Sequence, residues 1–341
     1  MALTVPEARG PLEEFLAAAS DASGAMIEKA ALLPGGSLQE NWRLDVVFEG
    51  GREAGRQTLV LRANRPDAVP AYLSRGQEFE VMKAVHGAGV TIPEPLWTSD
   101  GEGVLGRAFT VMRHVAGRAE AHKIVRDETL GGPHDALAER IGEELAKIQS
   151  IRPESGALPF LRDPEAGAAA AQIAEMRTYL DGHADPHPAI EWGLRWAELN
   201  LPPAVSPVLR HGDFRTGNYL VDETGLTGII DWELASWGDP MEDLAWFCIK
   251  CWRWGRPDRD AGGLAARAYF HRGYERVSGR RIDPVLDHYW AVMANLRWAV
   301  ISMQQAERHI SGRDPSLQLA LTGRMTAEME LEALRLIDEA G

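Results

Sequence analysis

Between Leu209 and Asp239 the chain reads LRHGDFRTGNYLVDETGLTGIIDWELASWGD, and three of its residues, Asp213, Asn218 and Asp231, offer hard oxygen donors at a telling spacing. Tyr219 to Val221 and Leu226 to Ile230 read as strands joined by Asp222, Glu223, Thr224 and Gly225, a turn composition that predicts a β-hairpin. If Val221 pairs with Leu226, Asn218 falls opposite Ile229 and Asp231 opposite Thr216, so both leave the hairpin at one end. Such a cluster, with Asp213 on the same rim, suits Mg²⁺, which takes oxygen ligands and substrate phosphates. Asp and Asn are also ordinary turn formers. The joint spacing, with His211-Gly212 ahead and Trp232-Glu233 behind, is what argues for a site.

HGDFRTGN followed by IIDWE resembles the aminoglycoside phosphotransferase-like family, small-molecule kinases with the protein-kinase fold. GGSLQENW near the N-terminus and DWELASWGDPMEDLAW are similar to the branch that includes the kinase domains associated with acyl-CoA dehydrogenases, and the likeness runs from about Leu33 to Glu307. The resemblance implies that Asp213 is the catalytic base and that Asn218 and Asp231 hold Mg²⁺. Protein kinases place an Asp, four residues and an Asn in the same way, with a metal-binding Asp further on. It also implies an α+β, protein-kinase-like two-lobed fold: a small β-rich N-lobe over residues 1–112 that covers the nucleotide, and a larger, mostly helical C-lobe over 113–341 with the catalytic loop, metal site and acceptor site.

Other residues take roles within that frame. Pro34, Gly35, Gly36 and Ser37 break the strand pattern, and backbone N–H groups at Gly36 and Ser37 could approach nucleotide phosphates; a plain turn is the alternative. By resemblance Arg62 stands where protein kinases carry a phosphate-binding Lys, with Glu78 as its partner and Glu80 as the rival. The adenine ring would meet backbone groups of the connecting strand at Met112 to His114. Arg215 either neutralises the transferring phosphoryl group or forms a loop salt bridge with a neighbour. His211, Asp239 and Asp243 read as structural, the last two at a helix start where carboxylates favour the positive end of the dipole. Glu233 reads as a salt-bridge residue, with auxiliary metal ligation the weaker alternative.

The surrounding elements must hold these residues. Pro11 to Ser20 is expected to be helical, Trp42, Leu44, Val46 and Phe48 alternate as in a half-buried strand, and Gln57 to Arg62 follows a Gly50-Gly51 turn as a second strand. Phe79, Met82 and Val85 mark a helix, as do Leu137, Ile141, Leu145 and Ile148, which should pack behind the catalytic loop. Asp163 to Asn200 reads as a helical insertion with Trp192 and Trp196 on its packing face.

With 341 residues, 45% of them hydrophobic, the chain can bury two cores. A formal charge of −14 argues against nucleic-acid binding, and neither a signal sequence nor an 18-residue apolar run is present, so a soluble cytoplasmic protein without membrane partners is expected. Cys248 and Cys251 are its two cysteines; they read as packed small side chains rather than a redox or metal pair. Lys250 to Arg281 carries nine basic residues against three acidic ones, which is either a solvated face or the wall of a site for an anionic acceptor. The expectation from these readings is an ATP- and Mg²⁺-dependent kinase acting on a hydroxyl of a metabolite, with a hydroxyacyl-CoA first, an aminoglycoside second, and a nucleotide-binding pseudokinase as the non-catalytic alternative. The oligomeric state is left open.

Overall fold

A computed structural model describes residues 4–33, 39–64, 73–183 and 185–340. Gly36 and Ser37, the residues proposed for the phosphate loop, lie outside the described residues. The chain divides into two compact units: one runs to Arg118 and takes in Tyr219–Asp222 and Leu226–Ala235, and the other holds the remainder.

In the first unit, α1 (Arg9–Ser20) is followed by strands β1 (Gly24–Leu32), β2 (Gln39–Glu49) and β3 (Gly55–Asn64), then α2 (Arg75–Gly87), β4 (Pro95–Ser99) and β5 (Phe109–Arg113). The strands form an antiparallel sheet in the order β1-β2-β3-β5-β4. Alternation decides which face is core: Leu44, Val46 and Phe48 of β2 and Leu59, Leu61 and Ala63 of β3 are buried beneath α1, whose Leu12 and Leu16 are fully buried. Gly50 and Gly51 turn β2 into β3 with positive φ, and a Cβ at Gly51 would sit 2.4 Å from the carbonyl oxygen of Ser20. The start of α2 is fixed by a capping box between Ser74 and Gln77.

The second unit is helical: α3 (Ala121–Arg126), α4 (His134–Ile148), α5 (Ala168–Asp181) and α6 (Pro188–Leu199) precede β6 (Val208–Arg210). The hairpin of β7 (Tyr219–Val221) and β8 (Leu226–Ile229) returns to the first unit, where Ile229 N–H donates to the Thr91 carbonyl and the Thr227 hydroxyl to the Ala116 carbonyl. The chain then continues through β9 (Ser236–Gly238), which pairs with β6, and α7 (Pro240–Cys248), α8 (Arg267–Ser278), α9 (Pro284–Ile310), α10 (Leu317–Gly323) and α11 (Thr326–Glu339).

The predicted apolar stripe of α4 is buried, and the helix packs on α8 through two glycines: a Cβ on Gly142 would lie 2.1 Å from the Phe270 carbonyl oxygen, and one on Gly273 1.9 Å from that of Glu139. Helix α6 departs from its predicted packing face. Trp196 stacks on Tyr289 at 5.7 Å, but Trp192, four residues earlier, is 65% exposed. Among the described residues no helix is long and apolar enough to cross a membrane.

Candidate active site

The loop from His211 to Asn218 owes its shape to α7. Asp239 caps that helix in a box with Glu242, with Pro240 at its first turn. One turn in, Asp243 is almost fully buried and turns its carboxylate to the loop: Oδ2 accepts the His211 N–H at 2.6 Å and Oδ1 the Gly212 N–H at 3.0 Å. His211 is itself fully buried, and its Nδ1 lies 3.3 Å from the Asp213 N–H as acceptor. These contacts give His211, Asp239 and Asp243 loop-building work.

Asp213 is held from three directions. Trp246 Nε1 donates to Oδ1 at 2.8 Å, Asn218 Nδ2 donates to Oδ2 at 2.6 Å, and Arg215 Nε reaches both oxygens at 3.0 Å. The Arg215 guanidinium also lies over the Trp252 ring, 4.7 Å from its centroid. Of the two expected uses of Arg215, the loop salt bridge is therefore present. Asn218 spends its amide nitrogen on Asp213, on the backbone carbonyl at 2.8 Å as well as on the carboxylate, which leaves its carbonyl oxygen as the group to offer a hard cation.

The first unit carries a second constellation. Tyr219 pairs with Ile229 and Val221 with Leu226, with a one-residue shift between Leu220 and Val221, so the regular register predicted from Val221 and Leu226 is displaced toward the open end of the hairpin. Beyond β8, Asp231 takes a left-handed conformation (φ 72°, ψ 61°), and its side chain is about one-third exposed. Arg62 on β3 contacts Asp231 Oδ1 at 2.5 Å and Glu78 Oε1 on α2 at 3.6 Å, while Glu80 faces solvent and pairs with Lys83. Burial opposes the Arg62 charge, yet Glu78, Asp231 and Glu233 outweigh it and hold the guanidinium above its ordinary pKa.

Arg75, buried in the first turn of α2, pairs with Glu78 and lies 3.7 Å from Glu233. Gln39 donates to Glu233 as well. Burial, and then the charge of Asp231, push the Glu233 carboxyl up to about 7 against the pull of Arg62 and Arg75.

Met112 on β5 is buried opposite Val60, and the backbone N–H of His114 donates to the Thr58 carbonyl at 3.0 Å. Burial first, and then Arg43, lower the His114 pKa. Among the described residues no group of three or more His, Cys, Asp or Glu side chains closes on a common metal position. The Asp231 carboxylate of the first unit and the Asn218 carbonyl oxygen of the second are each, taken singly, the kind of hard oxygen donor that Mg²⁺ takes.

The basic stretch is largely paired. Arg256 and Arg259 lie on Glu128, Arg272 and Arg276 on Glu139, Arg267 on Asp260 and Asp287, Arg281 on Glu275 and Lys250 on Glu332. Most of these carboxylates come from outside the stretch, so counting charge along the sequence overstates the field at the surface. Trp246, Trp252, Arg75 and Arg297 escaped the sequence reading. Trp246 carried a usable signal, since it stands three residues after Asp243 and helical spacing puts both on one face of α7.

Sheet, helices and loop together define a kinase-like phosphotransferase fold, and the chain belongs to the Phosphotransferase enzyme family, whose model matches residues 31–280. The chain is 34% identical over 204 residues to acyl-CoA dehydrogenase family member 11 of Gallus gallus, a match over 57% of this chain that spans only a quarter of that relative's length. Its structure resembles that of a candidate aminoglycoside phosphotransferase from Ralstonia eutropha, with a TM-score of 0.76 and 23% identity over 97% of this chain and 98% of the other. A spectinomycin phosphotransferase solved with ADP and spectinomycin matches with a TM-score of 0.64 and 14% identity over 96% and 98%.

Proposed function

We propose that this chain is a cytoplasmic small-molecule kinase that transfers the γ-phosphoryl group of ATP to a hydroxyl of a metabolite. The observation that carries the reading is Asp213, a carboxylate fixed by Trp246, Arg215 and Asn218 at the centre of a built loop. In the reaction the acceptor oxygen bonds to the γ-phosphorus, the bond to the β–γ bridging oxygen breaks, ADP departs, and the hydroxyl proton passes to Asp213. Arg215, bonded to Asp213, would face the phosphoryl group in transfer. Asn218 and Asp231 would hold Mg²⁺, which supplies charge neutralisation on the phosphates. Arg62, oriented by Glu78, would contact phosphate, and Gly36, Ser37, Met112 and His114 would contribute backbone groups to the nucleotide.

Hydroxyacyl-CoAs are the leading acceptor class. The support is the likeness to a protein named as an acyl-CoA dehydrogenase family member; the basic stretch adds little, being mostly paired. ADP formation should be measured with hydroxyacyl-CoAs, their free acids, aminoglycosides and small alcohols. Turnover with the CoA ester well above that with its free acid is expected, because remote binding energy helps to fix the reacting hydroxyl. Preference for a kanamycin-like polycation would put the aminoglycoside reading first, and nucleotide binding without turnover on any acceptor would favour the pseudokinase.

A further inference from the structure

Of the three side chains that donate to the Asp213 carboxylate, Arg215 and Asn218 belong to the same loop as Asp213, whereas Trp246 comes from α7. Its indole is 2% exposed and fixed on several sides: the Arg297 guanidinium lies 4.6 Å over the ring, and Trp252 and Trp298 pack at 5.7 and 5.8 Å. Arg297 in turn donates to the Gly212 carbonyl at 2.9 Å, which ties the same packing to the loop backbone.

We propose that Trp246 is a positioning residue for the catalytic base: its Nε1–H, set by the α7 packing, fixes which Asp213 oxygen meets the acceptor hydroxyl. The proposal rests on the reading of Asp213 as the base. The physical ground is that an indole offers one directional donor and no acceptor, and that a buried ring held by Arg297, Trp252 and Trp298 is not free to rotate with the carboxylate. The carboxylate must therefore adopt the orientation the indole allows. A general base works only within hydrogen-bond reach of its proton and in the right direction, so a swinging Asp213 would lose rate without losing charge.

The test is a double-mutant cycle on a turned-over acceptor. Trp246→Phe keeps an aromatic ring in the packing but removes the indole N–H, and should lower kcat about 10- to 100-fold, the size expected for one hydrogen bond to a charged group, with KM for ATP unchanged. In an Asp213→Asn background the same substitution should have no further effect, because there is no base left to position. A Trp246→Phe protein as active as the parent, or an equal and multiplicative loss in both backgrounds, overturns the proposal. Failure of Asp213→Asn itself to reduce turnover would instead sink the reading of Asp213. Should Trp246→Phe not fold, ¹⁵N-indole spectra of the Asp213→Ala protein decide: one buried indole proton must move upfield from its parent position, and unmoved indole resonances contradict the bond.

Discussion

Arg62 bridges Asp231 and Glu78, at 2.5 Å from one carboxylate and 3.6 Å from the other. With Arg75 on the other side of Glu78 and Glu233, Arg62 is one of two arginines that balance this acidic cluster, and it does so through the Asp that is proposed for metal binding. Neutralising such a cation leaves carboxylates in low dielectric without their counter-charge, which is costly. Arg62→Ala should therefore destabilise the nucleotide-free protein by about 3 kcal/mol, with Arg62→Lys recovering part of the loss. Urea denaturation measures it, and an Arg62→Ala midpoint equal to the parent's would show the cluster balanced by other means.

Mg²⁺ and ATP together should raise the melting temperature, and Asp231→Ala should abolish most of the gain. Ligands that bind the folded state stabilise it by RT ln(1 + [L]/Kd), about 2.7 kcal/mol at a hundredfold excess over Kd. A full shift retained in Asp231→Ala would move the metal to other ligands.

Asp243→Ala removes the acceptor of two buried backbone N–H groups, those of His211 and Gly212. Each orphaned donor costs about 1 to 3 kcal/mol, so a loss of about 2 to 6 kcal/mol is expected for the two, and Asp243→Asn, which keeps one acceptor oxygen, should fall between. Chemical denaturation of the two variants gives the comparison, and an Asp243→Ala protein as stable as the parent would contradict the loop architecture described above.

Both thiols should be silent in the native state. Burial pushes Cys248 up to about 12 and raises Cys251 well above its ordinary value, so at pH 8 neither supplies appreciable thiolate. Titration with a disulfide reagent should show reaction only after unfolding, with two equivalents consumed per chain. Rapid reaction of the folded protein would mean that one cysteine is open to solvent.

Much of the candidate site was readable because it is written locally. HGDFRTGN places an acid, an arginine and an asparagine within one loop, and the observed bonds among Asp213, Arg215 and Asn218 join residues two to five apart. The α4 stripe and the β2 alternation were legible for the same reason, since each follows the period of its own element. What escaped were relationships set by tertiary packing. Trp246 reaches Asp213 across 33 residues, and Arg297 reaches Gly212 across 85. The net charge of the basic stretch is overcounted along the sequence because Glu128, Glu139 and Glu332, its partners, stand outside the window. The hairpin is legible in the turn composition, but its register is not, because the shift falls inside the strands, beside Gly228, and not in the turn.

The most direct measurement is turnover by Asp213→Asn on an acceptor that the parent phosphorylates, with nucleotide affinity measured beside it. The expected result is a loss in kcat of about 10² to 10⁴, the usual range for a general base, with ATP binding intact. A variant within a few-fold of the parent would contradict it and move the base elsewhere.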